Sequence, residues 1–162
     1  MAPADLRADT TAIAAGGRYQ LALGQAWDFL LPSGGVVMTA ALRAAAAAVD
    51  DRACRLLSAT AIFYEPIAPG PIEVVPQVRR RGGSAVQTST TLSAPGNLGC
   101  EVTATFARAR VGPDVIALPV PEVPPPDACA DLLASGSPLT RARFFGNLDV
   151  RRDYGDVRDV VA

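Results

Sequence analysis

Histidine is absent from this 162-residue chain, and cysteine occurs three times, as Cys54, Cys100 and Cys129. Without histidine the usual zinc and Cys–His constellations are unavailable. The cysteines are odd in number, far apart and in no metal-ligand spacing, so they read as reduced, buried side chains. An excess of one charge is lacking too: 15 Lys plus Arg face 16 Asp plus Glu, a formal charge of -1. No global field would hold a polyanion, and bulk nucleic-acid binding is disfavoured. The longest apolar run, Gly34 to Val49, is interrupted by Arg43 and falls short of the roughly 20 residues of a membrane span. The N-terminus carries Asp5 and Asp9 and no apolar segment, unlike a secretory signal. These features together point to a cytoplasmic protein.

What is present suits a folded core, with 49% hydrophobic and 19% charged residues. The length fits one domain plus an appendage. Residues 1–17, rich in Ala and small polar groups, read as a flexible leader. RYQLALG, Arg18 to Gly24, alternates Tyr19, Leu21 and Leu23 against Gln20 and Ala22, the period of a half-buried strand. Pro32 follows, then Ser33 placed as an N-cap, then Gly34 and Gly35 opening a helix that runs to Val49. Asp50 and Asp51 stand where that helix should stop, a charge unfavourable at a helix C-terminus.

From Leu56 onward four extended segments are rich in β-branched and aromatic residues: LLSATAIFYEP, IEVVPQVRRR, SAVQTSTTLS and LGCEVTATFARA. The turn signals APGP, RGG and APGN separate them, so an antiparallel meander is expected. In the last segment Cys100, Val102, Ala104 and Phe106 share one face, and Glu101, Thr103 and Thr105 the other. Pro76 removes a ladder donor and marks a bulge or an edge.

A helix apolar around most of its circumference must be surrounded, and only strands are available to do it. The pattern therefore predicts an α+β domain over residues 18–110, a curved antiparallel sheet wrapped around one central helix. Between Val111 and Pro138 lie seven of the chain's 14 prolines, so residues 111–140 read as a linker. DACADLLA, Asp127 to Ala134, reads as a short capped helix within it. Residues 141–162 form a strand, over Arg143 to Asp153, and a tail.

WDFLLPSGGVVMTAALRAA, LLSATAIFYEPIAPGPIEVVPQVRRRGGSAVQTSTTLS and TATFARAR, in that order and spacing, resemble the first half of the TesB-like acyl-CoA thioesterases. Those are double-hotdog proteins, and the similarity covers Tyr19 to Arg110. Its specific parts are the Pro32, Gly34, Gly35 helix entry, the segment Tyr64 to Pro71, and the Arg80, Gly82, Ser84 turn. The resemblance implies a hotdog fold that takes acyl thioesters. It also implies that FFGNLDVRRD is the first strand of a second hotdog, to which that family's catalytic Asp, Thr or Ser, and Gln are usually assigned. Gly83 departs from the family's turn, which usually reads Gly-Arg-Ser.

Thioester hydrolysis needs a carbonyl polariser and an activated water or nucleophile. The backbone N–H groups of Gly34 and Gly35 open a helix, where free donors and the positive dipole end coincide; alternatively the pair only permits a tight turn. No serine sits in a nucleophile elbow, so the base would be a carboxylate, Asp28 or Glu65, either of which also reads as a surface or turn-capping acid. Ser58 and Thr60 share a strand face and could orient a water, or be ordinary strand polarity. Arg79, Arg80 and Arg81, with Ser84, suit the phosphates of coenzyme A, or form a solvated hairpin tip. Phe63, Tyr64 and Trp27 read as core.

The expected function is hydrolysis or binding of an acyl-CoA or acyl-carrier-protein thioester, with coenzyme A as part of the substrate and no further cofactor. The alternative is a non-catalytic subunit or acyl-binding scaffold that needs a second hotdog. Exposed sheet edges predict a homodimer or higher oligomer, or pairing with a second hotdog subunit. Neither a nucleic acid nor a membrane is expected as a partner.

Overall fold

The computed structural model describes residues 4–16, 18–113, 118–119, 122–135 and 141–152. Parts of the leader, the linker and the tail read above therefore lie outside the described residues.

The chain runs α1 (Leu6–Asp9), β1 (Ile13–Ala15), β2 (Arg18–Leu23), α2 (Gly34–Val49), β3 (Cys54–Phe63), β4 (Gly70–Arg81), β5 (Ala85–Ala94) and β6 (Asn97–Arg108). Two short strands follow, β7 (Ala130–Asp131) and β8 (Arg151–Arg152). The six longer strands form one sheet in the order β1-β2-β4-β5-β6-β3, and the pairing is antiparallel throughout. The expected simple meander is thus corrected: β4, β5 and β6 follow one another, whereas β3 joins β6 at the far edge. Pro66 and Pro69 lie in the connection, where residues without an N–H disfavour a tight hairpin between β3 and β4.

The period-two patterns hold. Leu21 and Leu23 of β2 are buried, as are Cys100, Val102, Ala104 and Phe106 of β6. Pro76 pairs with Thr90 of β5 and lies past Tyr19–Val74, the last pair β2 makes with β4. It therefore sits where β4 has a locally free edge. The bulge in β4 comes later, between Val78 and Arg80.

Helix α2 presses Val36, Val37, Ala40, Ala41, Ala44, Ala45 and Val49 against the sheet. Ala40 and Ala41 are fully buried because a methyl side chain lets the strands come close, and each buried Val adds about 1.5 to 3 kcal/mol. The sheet does not enclose the helix completely: Met38 and Leu42 are half-buried, and Ala46 and Ala47 are exposed. Part of the open side is covered by the described residues of the leader, which include α1 and β1. The Arg43 guanidinium donates to the Arg7 carbonyl, to Thr10 Oγ1 at 2.7 Å and to Thr11 Oγ1 at 2.8 Å. Trp27 Nε1 donates to Asp9 Oδ2 at 2.9 Å.

The C-terminal end of α2 resolves the two acids found there. Asp50 takes a left-handed conformation, φ 48°, one of the few non-glycine types that tolerates it. Asp51 pairs with Arg108 Nη2 at 2.8 Å. Arg81 Nη2 donates to the Val49 carbonyl at 2.9 Å, placing a cation where the helix dipole favours one.

Beyond β6 the sequence expectations need two corrections. The segment read as a helix forms a 3-10 turn at Pro126–Ala128, the two residues of β7, and a second 3-10 turn at Leu133–Ser135. The strand read over residues 143–153 begins instead as a 3-10 helix, Arg143–Asn147, which reaches the two-residue β8 through Leu148–Val150. Phe144 and Phe145 turn toward Trp27 and Phe29, and this docking, which an alternating pattern cannot show, displaces extended structure.

Candidate functional site at the mouth of the central helix

Ser33 occupies the N-cap position of α2, yet its hydroxyl accepts no helix N–H. The Val36 and Val37 N–H groups both donate to the Ser33 carbonyl, at 2.9 and 3.1 Å. The donors of Gly34 and Gly35 are left over at the open end of the helix, where the dipole is positive. Beside them a cleft of about 300 Å³ is lined by Leu31, Pro32, Gly34, Val37, Phe63, Tyr64, Glu65, Pro66 and Ile67. One carboxylate and one helix terminus thus stand beside an otherwise apolar hollow.

Each wall has a local cause. Phe63 pairs with the buried Cys100 and so points to the core side of β3, where its ring covers Gly34. A Cβ on Gly34 would lie 3.0 Å from Phe63 Cζ. The β3–β4 connection folds over Gly99, whose carbonyl accepts the Tyr64 and Glu65 N–H groups at 2.9 and 3.2 Å. Asn97 Nδ2 holds the Pro66 carbonyl at 3.2 Å. Gly99 also makes room for Ile67: a Cβ there would meet Ile67 Cγ1 at 2.1 Å.

Tyr64 donates its hydroxyl proton to Glu101 Oε2 at 3.1 Å. That bond, then burial and the Glu101 charge, raise its pKa, so the phenol stays neutral and cannot serve as a base. Burial likewise pushes up the Cys100 thiol, which is a core side chain. Cys54 and Cys129 are free but only half-buried, against the expectation that all three are buried.

The structure brings Gly34 and Glu65 together in one cleft, with Gly35 next to it in the chain but outside the lining, and separates the other candidates from them. Asp28 lies on the preceding loop, bridged to Pro32, and is not part of the cleft wall. Its Oδ1 is buried and has no partner among the described residues. Ser58 and Thr60 pair with Thr105 and Thr103, while the alternating Ala59 and Ala61 pair with the core residues Ala104 and Val102. They line a second hollow of about 420 Å³ with Arg79, Gln87 and Ser89 on the outer face of the sheet. A water held there could not reach the helix mouth, so strand alternation corrects that expectation.

The three arginines also diverge. The β4 bulge sends Arg79 to Ser89 Oγ, 2.7 Å away on the outer face, and Arg80 pairs with Gln87 there. Arg81 turns inward to cap α2. Ser84 lines a small hollow with Arg81 and Arg108. That hollow lies at the opposite end of the 16-residue helix from Gly34, about 24 Å away at 1.5 Å per residue. Phe63 and Tyr64 prove to be cleft walls, half exposed, whereas Trp27 is core. Gly99 and Ile67 were missed, and their sequence signal is only a glycine inside a strand pattern.

A curled antiparallel sheet laid on one long helix, with unspent donors at the helix mouth, defines a hotdog-fold domain. The family model for the acyl-CoA thioesterase N-terminal domain matches residues 23–109, and this chain belongs to that family. No curated protein sequence matches it significantly. Among solved structures it is similar to a thioesterase II candidate from Thermobifida fusca, at 25% identity and a TM-score of 0.71, covering 78% of this chain and 48% of that one. A hot dog fold protein of unknown function from Alicyclobacillus acidocaldarius aligns at 22% identity and a TM-score of 0.75, over 85% of this chain and 52% of that one. The acyl-CoA thioesterase II TesB2 of Mycobacterium marinum aligns at 21% identity and a TM-score of 0.65, over 78% and 48%. The chain spans about half the length of these relatives. No helix among the described residues is long and apolar enough to cross a membrane.

Proposed function

We propose that this domain binds an acyl thioester at the mouth of α2 and takes part in its hydrolysis. The observation that carries the reading is the open N-terminus of α2 at Gly34 and Gly35, uncapped by the Ser33 hydroxyl, with Gly34 in the wall of an apolar cleft. A thioester oxygen there accepts from donors already in place, and each such donor is worth about 2.7 to 4 kcal/mol of barrier. The acyl chain lies against Leu31, Val37, Phe63 and Ile67. Glu65, which shares the cleft, takes the proton of the attacking water; Asp28, set back in the loop, does not.

The phosphates of a coenzyme A carrier call for cations, and the inward cationic end, Arg81, Arg108 and Ser84, is a helix length away. A second hotdog removes that distance. Strand β3 is a sheet edge, and it carries exposed Leu56, Leu57, Ile62 and Phe63. Two-fold antiparallel pairing of β3 with its counterpart sets the Cys54 end of one strand beside the Phe63 end of the other. Cys54 pairs with Arg108, so the cationic end of one copy then meets the helix mouth of its neighbour.

The test is release of free thiol from a panel of acyl-CoA and acyl-carrier-protein thioesters by the folded protein. Turnover that Glu65→Gln abolishes supports hydrolysis. Absence of turnover for every chain length would sink it. A second reading, an acyl-binding subunit without chemistry of its own, rests on Glu65 being the only carboxylate among the cleft residues and an exposed one; it predicts that acyl-CoA raises Tm without being consumed.

A further inference from the structure

The loop that delivers the chain to Gly34 has little hold on itself. Its own backbone bonds are Asp28 N–H to Gln25 O at 3.2 Å, Phe29 N–H to Leu31 O at 3.0 Å and Ser33 N–H to Trp27 O at 3.1 Å. Phe29, Leu30 and Leu31 are exposed on it. A segment so bonded opens at low free energy. Its fixed points come from the 3-10 helix Arg143–Asn147, more than a hundred residues away in the chain. Asn147 Nδ2 donates to the Ala26 carbonyl at 2.7 Å and to the Arg143 carbonyl at 3.3 Å. On its other side Asn147 Oδ1 accepts the Ala4 N–H at 3.0 Å. Phe144 N–H donates to the Asp28 carbonyl at 2.9 Å, and Arg143 Nη1 to Gln25 Oε1 at 2.8 Å. Phe144 meets Trp27 edge-on at 6.4 Å and Phe145 meets Phe29 at 5.9 Å between ring centroids.

We infer that Asn147 is a positioning residue for the Gly34 and Gly35 donors, tying both the leader and the post-linker segment to the helix entry. The aromatic contacts supply adhesion but little direction. The amide supplies direction, because both its donor and its acceptor are engaged. Force passes along a short path: Ala26 precedes Trp27, the Trp27 carbonyl holds Ser33 N–H, and the Ser33 carbonyl seats the first turn of α2. Donors that stabilise a developing charge must be held within about 0.5 Å of their productive place, and this path sets where Gly34 and Gly35 sit. The catalytic consequence rests on the thioester reading above, whereas the mechanical coupling does not.

Amide hydrogen exchange and steady-state kinetics on Asn147→Ala and Asn147→Asp test this. The aspartate is isosteric and keeps the acceptor for Ala4 but loses the donor to Ala26, so it serves where the alanine fails to fold. The expected result for each is exchange at the Ser33 and Phe29 amides about tenfold faster, with the β5 and β6 amides unchanged. Turnover of acyl-CoA falls in kcat by about tenfold while KM holds. Unchanged exchange at Ser33, or acceleration spread evenly over the sheet, overturns the inference; so does faster exchange with undiminished kcat. If the unmodified protein shows no turnover, the thioesterase reading fails on its own and the exchange result alone decides the role of Asn147.

Discussion

Gly34 and Phe63 are in close contact: a Cβ at residue 34 would lie 3.0 Å from Phe63 Cζ, so the ring must give way to any side chain there. The same ring forms a wall of the cleft beside the helix entry. Gly34→Ala should therefore move the ring, lower acyl-CoA turnover several-fold and change Tm little, because alanine gains up to about 1 kcal/mol of helix propensity against the clash. Gly35→Ala is the control, since its nearest neighbour would be Ser33 Oγ at an ordinary 3.7 Å. Gly35→Pro removes a donor and should reduce kcat by about 10² to 10³. Thiol-release kinetics on the three variants check the order.

Glu65→Gln should lower kcat at least about hundredfold. Ser58→Ala and Thr60→Ala, altered on the outer face, should leave kcat within about twofold, as is usual for substitutions away from a site. Loss of activity in either of the latter two would move the chemistry to the other side of the sheet.

Leu57 is 71% exposed on the edge strand β3, so Leu57→Glu should not disturb a single hotdog. A glutamate on that edge would have to bury its charge against the neighbouring strand, which opposes pairing. Light scattering should show an oligomer for the unmodified protein and a monomer for the variant, with turnover lost in parallel. A monomer in both cases would remove the paired-site proposal.

Gly99→Ala should lower the urea midpoint. The added methyl would lie 2.1 Å from Ile67 Cγ1, and overpacking of this kind costs about 1 to 3 kcal/mol. Ile67→Ala, which removes both Cγ1 and Cδ1, should cost less in the Gly99→Ala background than in the unmodified protein, which a double-mutant cycle measures.

The Asp51–Arg108 pair gives a pH dependence of known sign. The Arg108 hydrogen bond, followed by the Ala53 N–H, lowers the Asp51 pKa below its usual value in the folded state. The unfolded chain therefore binds the proton more readily, so the pair's stabilisation is complete above about pH 5. It is lost as pH falls through the depressed folded value. Urea titrations at pH 7 and pH 3 should show Asp51→Asn less stable than the unmodified protein at pH 7 and the gap narrowing at pH 3; a constant gap would contradict the assignment.

Much of the fold was legible from local pattern. The period of Tyr19, Leu21 and Leu23, the face shared by Cys100, Val102, Ala104 and Phe106, and the apolar run from Gly34 to Val49 each reflect burial, which side-chain spacing records directly. The start of α2 at Gly34 was legible for the same reason, since helix entry is a local event. The edge position of β3 was not, because turn residues say that a chain reverses and not which strand it then joins.

The sequence by itself determined which faces are apolar, where the helix begins and that these 162 residues supply no histidine. Only the tertiary structure decided that Glu65 belongs to the Gly34 cleft while Ser58 and Thr60 face away, that Arg79 and Arg81 leave opposite sides of one strand, and that Asn147 reaches Ala26. Those relations depend on strand register, on one bulge and on contacts across more than a hundred residues. Local propensity acts over a few positions and cannot encode them.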